Sequence, residues 1–189
     1  MVNNIVETVQ QKLGLNAFSK IDPNIGKENN NGEHDSGHYV QAAVTAVLAG
    51  LYKYGSTKHG AAELFTWKHP EQLLQQLFSD REEPVIEAVS NYGNKPLDDT
   101  RLFMEKIAQE SIIAVEEAAG PTATLEKIRA YIRDQRHNIL VYLPPDLQLG
   151  AVINDNSLDD RTNKMEGPVS NLMHFFEQLF AEKEKGKVS

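Results

Sequence analysis

At 189 residues the chain is long enough to enclose one ordinary hydrophobic core, and one domain over 1–189 is the expected organisation. Its formal net charge of −8 comes from acids spread along the chain, which argues against nucleic acid or an anionic membrane as the main partner. It has no cysteine, so disulfides, thiolate nucleophiles and cysteine-ligated zinc or iron–sulfur sites are excluded.

The start, Met1-Val-Asn-Asn-Ile-Val-Glu, lacks a basic segment followed by an apolar one, so no secretory signal is expected and the expected compartment is the cytoplasm. Ile5, Val6, Val9 and Leu13 recur at helical spacing, and Gly14 stands where a helix C-terminal glycine belongs. Residues 22–35 then shift to Pro23, Gly26, an Asn29-Asn30-Asn31-Gly32 run and scattered acids, the composition of a mobile loop.

The stretch from His38 to Gly55 predicts a helix that is apolar nearly all round. Val40, Val44, Val47 and Leu51 line one face, Ala42, Ala43, Ala46, Ala49 and Gly50 form a second face of small residues, and Gln41, Thr45 and Tyr52 leave a narrow polar seam. Such a helix belongs in the middle of a bundle, with the small face admitting a neighbouring backbone. It is interrupted by polar residues and too short to be a good membrane span.

Gly55 breaks the pattern, and Ala61, Leu64, Phe65 and Trp67 begin another turn or two. Pro70 is expected to open a helix with Leu73, Leu74, Leu77 and Phe78 inward, and Pro84 one with Val85, Ile86 and Val89 inward, closed by Gly93. A long helix follows from about Asp98 to Ala119, capped by Asp98 or Asp99 and stopped by Gly120-Pro121, and it is expected to pack on the central helix. Pro121 is expected to start the next, with Leu125, Ile128 and Ile132 inward and Lys127, Arg129, Arg133 and Arg136 on a solvated flank.

From 139 to 167 the helical period disappears, and an irregular connection is expected. Its apolar run Ile139 to Leu143 reads as a buried extended segment or single strand ended by Pro144-Pro145. Pro168 then opens a C-terminal helix over 168–182. Val169, Leu172, Met173, Phe175, Phe176, Leu179 and Phe180 fall there within an arc of about 160°. The fold class is thus all-α: a single-domain bundle with a long irregular connection before a C-terminal amphipathic helix.

Two constellations bear on chemistry. His34 and His38, four residues apart, could present imidazoles to one metal ion if a helix began by His34, although Asp35, Ser36 and Gly37 suit a helix start better and leave His34 in the loop. Asp155 to Glu166 places oxygen side chains at calcium-loop spacing, but Asp160 stands where the turn needs glycine, and a solvated connection is the simpler reading. There is no glycine-rich phosphate loop, G-x-S-x-G elbow or H-E-x-x-H motif, and no cofactor is expected.

Three segments carry a family likeness. Lys12-Leu13-Gly14-Leu15, Val47-Leu48-Ala49-Gly50-Leu51 and His59-Gly60-Ala61-Ala62-Glu63-Leu64 occur in the order that resembles the YidB-like bacterial helical proteins of unknown function, over roughly residues 1–120. The Asn-rich loop and everything after Gly120 depart from that pattern. The resemblance implies an all-helical bacterial protein and brings no catalytic residues with it.

The functional expectation is a non-enzymatic protein that works by self-association or by binding another protein. Leu172, Phe175, Phe176, Leu179 and Phe180 would form the contact, and a homodimer is expected because the Ile139 to Leu143 run offers a second apolar surface. The alternative is a metal-binding protein or metal-dependent enzyme using His34 and His38. A third reading is a small-molecule pocket beside Trp67.

Overall fold

In a computed structural model of the chain, residues 3–21, 36–64 and 72–155 are described, and all of them belong to one compact unit spanning Met1–Asp159. The described residues form an all-α bundle. Its helices are α1 (Ile5–Leu13), α2 (Ser36–Gly55), α3 (Lys58–Leu64), α4 (Leu73–Phe78), α5 (Glu82–Gly93), α6 (Leu97–Ala119), α7 (Leu125–Asp134), α8 (Arg136–Leu140) and α9 (Leu149–Val152). No described helix is long and apolar enough to cross a membrane.

The central position expected for α2 is its actual one. It packs directly against α6 as expected, and also against α3, α4, α5, α7 and α8, and every residue from Gln41 to Leu51 is buried. The polar seam therefore points into protein. Gln41 is 6% exposed; its Oε1 accepts from the Ser19 amide at 3.2 Å, while its Nε2 donates to the carbonyls of Ser19 (2.9 Å) and Tyr142 (2.8 Å). Thr45 returns its hydroxyl proton to the Gln41 carbonyl at 2.8 Å. One buried amide thus joins α2 to the segments before and after it in sequence.

Small residues on α2 admit side chains where a backbone was expected. A Cβ at Gly50 would collide with the ring of Phe78 on α4, and at Gly93, the last residue of α5, with the ring of Tyr39 on α2. That contact, rather than helix termination, explains Gly93. The left-handed residue that ends α5 is Asn94, at φ 47°.

Three helix starts differ from expectation. Pro84 lies inside the first turn of α5, where a missing amide hydrogen is tolerated, and Glu82 is the first helical residue. Helix α6 begins at Leu97, so Asp98 and Asp99 sit in its first turn, favouring the positive end of the helix without capping it. Helix α7 begins at Leu125, not Pro121, because Thr124 accepts from the Lys127 amide (3.3 Å) and caps it. Residues 120–124 are left as a turn.

The run Ile139 to Leu143 is not extended. Ile139 and Leu140 close α8, and the amides of Tyr142 and Leu143 bond back to the carbonyls of Ile139 (3.1 Å) and Leu140 (3.3 Å). Local bonds satisfy this backbone, so it needs no partner strand. The described part of the 139–167 connection continues as a 3-10 turn at Pro145–Leu147 and the short α9. The 22–35 loop, Trp67, Pro70 and the C-terminal helix over 168–182 lie outside the described residues.

Two substitutions test this packing. Gln41→Leu strips Ser19 and Tyr142 of their partner and should cost about 1–3 kcal/mol in chemical denaturation. Gly50→Leu should cost about 1–3 kcal/mol by displacing Phe78, whereas Lys106→Leu, exposed on α6, should change stability by less than about 0.5 kcal/mol.

Candidate functional site

Three side-chain groupings stand out among the described residues. The first is at the corner between α2 and α3, where Gly60 lies so close to the Tyr54 carbonyl that a Cβ would strike it. The Tyr54 hydroxyl donates to Glu63 Oε2, and His59 Nε2 lies 3.2 Å from Glu63 Oε1. Burial and the Glu63 carboxylate push the Tyr54 phenol well above its ordinary range, so it stays a donor at neutral pH. Glu63 Oε2 thus fastens α3 to α2 through Tyr54, while Oε1 pairs with His59 one turn back within α3.

The second grouping joins α4, α5 and α6. Arg101 reaches Glu82 at 2.6 Å and Glu83 through its other terminal nitrogen, clamping the start of α5 to α6. One turn on, Glu105 Oε1 accepts from the Leu74 amide at 3.3 Å and serves the first turn of α4, whose preceding residue Gln72 contributes no side-chain cap. Glu105 Oε2 is buried with no hydrogen-bond partner among the described residues. Burial raises the pKa of this carboxyl, Glu82 adds to the rise, and the backbone amides and Arg101 oppose it.

The third is a concavity. A cleft of about 220 Å³ opens between the end of α3, the C-terminal half of α6, the 120–124 turn and the start of α7. Among the described residues, Leu64, Ile112, Val115, Pro121, Ala123 and Ile128 make its walls, and Glu116 is the one ionisable residue lining it. Because α7 starts at Leu125, four residues later than Pro121 suggests, the wall between α6 and α7 is made by Gly120, Pro121 and Ala123 of the turn. Gly120, at φ 71°, turns the chain out of α6 at this point.

The sequence-predicted site residues do not line it. His38 is exposed in the first turn of α2, and His34 lies outside the described residues, as do Leu172, Phe175, Phe176, Leu179 and Phe180. No three His, Asp or Glu side chains among the described residues converge as metal ligands. Asp155, the described member of the calcium-like run, donates its amide to the Gly150 carbonyl at 2.7 Å. On the basic flank of α7, Arg129 Nε donates to the Ser56 carbonyl (2.8 Å) and Lys127 Nζ to Thr122 (3.1 Å to the carbonyl), while Arg133 is exposed. Ile112, Val115 and Ile128 were legible as inward-facing, but their meeting with the 120–124 turn in a cleft was not.

No protein-family model matches the chain, and no curated protein or solved structure is detectably similar to it.

The Glu105 carboxyl has a pH signature. Its pKa is higher in the folded chain than in the unfolded one, so its contribution is most favourable below the ordinary carboxylate range and is lost as pH rises through the raised value. Glu105→Gln keeps an acceptor for Leu74 and removes the charge. Thermal melts from pH 4 to 8 should show the variant gaining on the parent chain as pH rises; a constant difference would contradict this.

Proposed function

We propose that this protein acts without catalysing a reaction, through self-association or protein–protein interaction, and that the cleft beside Val115 is the anchor point. The single observation behind this reading is the cleft's size and lining. Small-molecule sites commonly occupy ~300–1,000 Å³, whereas a cavity of ~150 Å³ takes a benzene-sized group. At about 220 Å³, with six apolar walls, this one suits a single large apolar side chain. Interfaces concentrate their binding energy in such anchors, seated in dry pockets.

The polar groups elsewhere in the unit support the same reading. The Tyr54–Glu63 bond and the Arg101–Glu82–Glu83 group fasten helix to helix, and His59 pairs with Glu63 within α3. The sequence also carries the kind of surface that such a cleft receives, in the apolar arc of Leu172, Phe175, Phe176, Leu179 and Phe180. A bacterial, cytoplasmic setting belongs to the same proposal and is supported by the sequence resemblance alone.

Filling the cleft tests it. Ala123→Trp places an indole where the anchor would sit and leaves the helices' buried faces untouched. Sedimentation of the parent chain over a wide concentration range should show species heavier than a monomer, or binding to amphipathic helical peptides, and the variant should lose that association with its melting temperature little changed. A chain that is monomeric throughout and binds no such peptide overturns the proposal, as does a variant that associates like the parent.

A further inference from the structure

Two independent features place negative charge at the rim of the cleft. Glu116 is exposed at the mouth, and among the described residues it has no ion pair; its neighbour Glu117 is taken by Lys12 of α1 at 2.7 Å. The cleft also lies at the C-terminal end of the 23-residue helix α6, whose last turn contains no basic residue. The negative end of the helix dipole is uncompensated there by any side chain of its own. Pro121 deepens the effect, because it has no amide hydrogen and stands where a donor to the Glu117 carbonyl would be. Lys127, the cation nearest in sequence to this turn, donates to Thr122 Oγ1 at 3.2 Å and to its carbonyl.

We infer that the occupant of the cleft is a basic amphipathic helix of another protein molecule, which seats one large apolar side chain against Val115 and Ile128 and sets a Lys or Arg about one turn away against Glu116 and the end of α6. This rests on the reading of the cleft as a protein-binding site and adds the chemistry of the partner. Charge complementarity is the argument: a wholly apolar or acidic helix would meet the same walls but leave the Glu116 carboxylate facing nothing or a like charge.

The experiment uses the whole protein and two synthetic helical peptides, each with one Phe anchor, differing only in Lys or Glu at the positions flanking it. Binding is followed by fluorescence anisotropy. The basic peptide should bind roughly three- to tenfold more tightly than the acidic one, the range an exposed ion pair and a helix terminus together provide. Glu116→Gln should reduce that ratio, and Ala123→Trp should abolish binding of both peptides.

Equal binding of the two peptides, lost in Ala123→Trp, would overturn the basic partner and leave the anchor site standing. Basic-peptide binding that survives Ala123→Trp would also overturn it, since general attraction to a chain of charge −8 would then account for the result. Absence of binding by either peptide counts against the anchor site itself.

Discussion

A helix enclosed on every side can satisfy its polar side chains only from the segments that enclose it. Gln41 meets that constraint with three hydrogen bonds, to both backbone groups of Ser19 and to the Tyr142 carbonyl. These partners lie 22 and 101 residues away, so a single amide fixes where the chain enters and leaves the neighbourhood of α2. The arrangement resembles a latch more than a source of net stability, because each bond replaces one to water. What it contributes is specificity: any other packing of the 15–21 segment or the 141–143 turn would bury donors and acceptors without partners.

Gln135 has a similar place at the opposite end of α1. It accepts from the Ile5 amide at 3.0 Å and from Asn138 at 2.9 Å, and so connects the first helix to the junction of α7 and α8. Its amide nitrogen is buried and has no partner among the described residues, an asymmetry that Gln41 does not share.

The elements carried by strong periodicity were legible in sequence, and those carried by punctuation were less so. Ile5, Val9, Leu74, Ile86, Val89, Ile107 and Ile132 are buried as their spacing requires. Pro84 and Gly93, by contrast, look like the ends of a helix but are shaped by something else: a tolerated place in a first turn, and the ring of Tyr39. Proline marks where a helix is permitted to begin, whereas a capping hydroxyl such as that of Thr124 decides where it does. The run Ile139 to Leu143 misled for a related reason, since five consecutive apolar residues satisfy either period. The cleft was least legible, because it lies at a boundary: Leu64, Ile112, Val115 and Ile128 are ordinary core positions, and Pro121 and Ala123 join them only through the 120–124 turn.

The long-range bonds that seat α1 among the described residues come from late in the chain. Lys12 reaches Glu117, the Asn3 carbonyl accepts from Tyr131 at 3.3 Å, and the Ile5 amide reaches Gln135. During synthesis at ~5–20 residues per second, the first helix therefore waits on the order of ten seconds before its final polar contacts have been made. Through that interval Ile5, Val6 and Val9 lack their complete binding site. Ile5 is locked only once Gln135, 130 residues later, is in place, and until then α1 is open to capture by a chaperone.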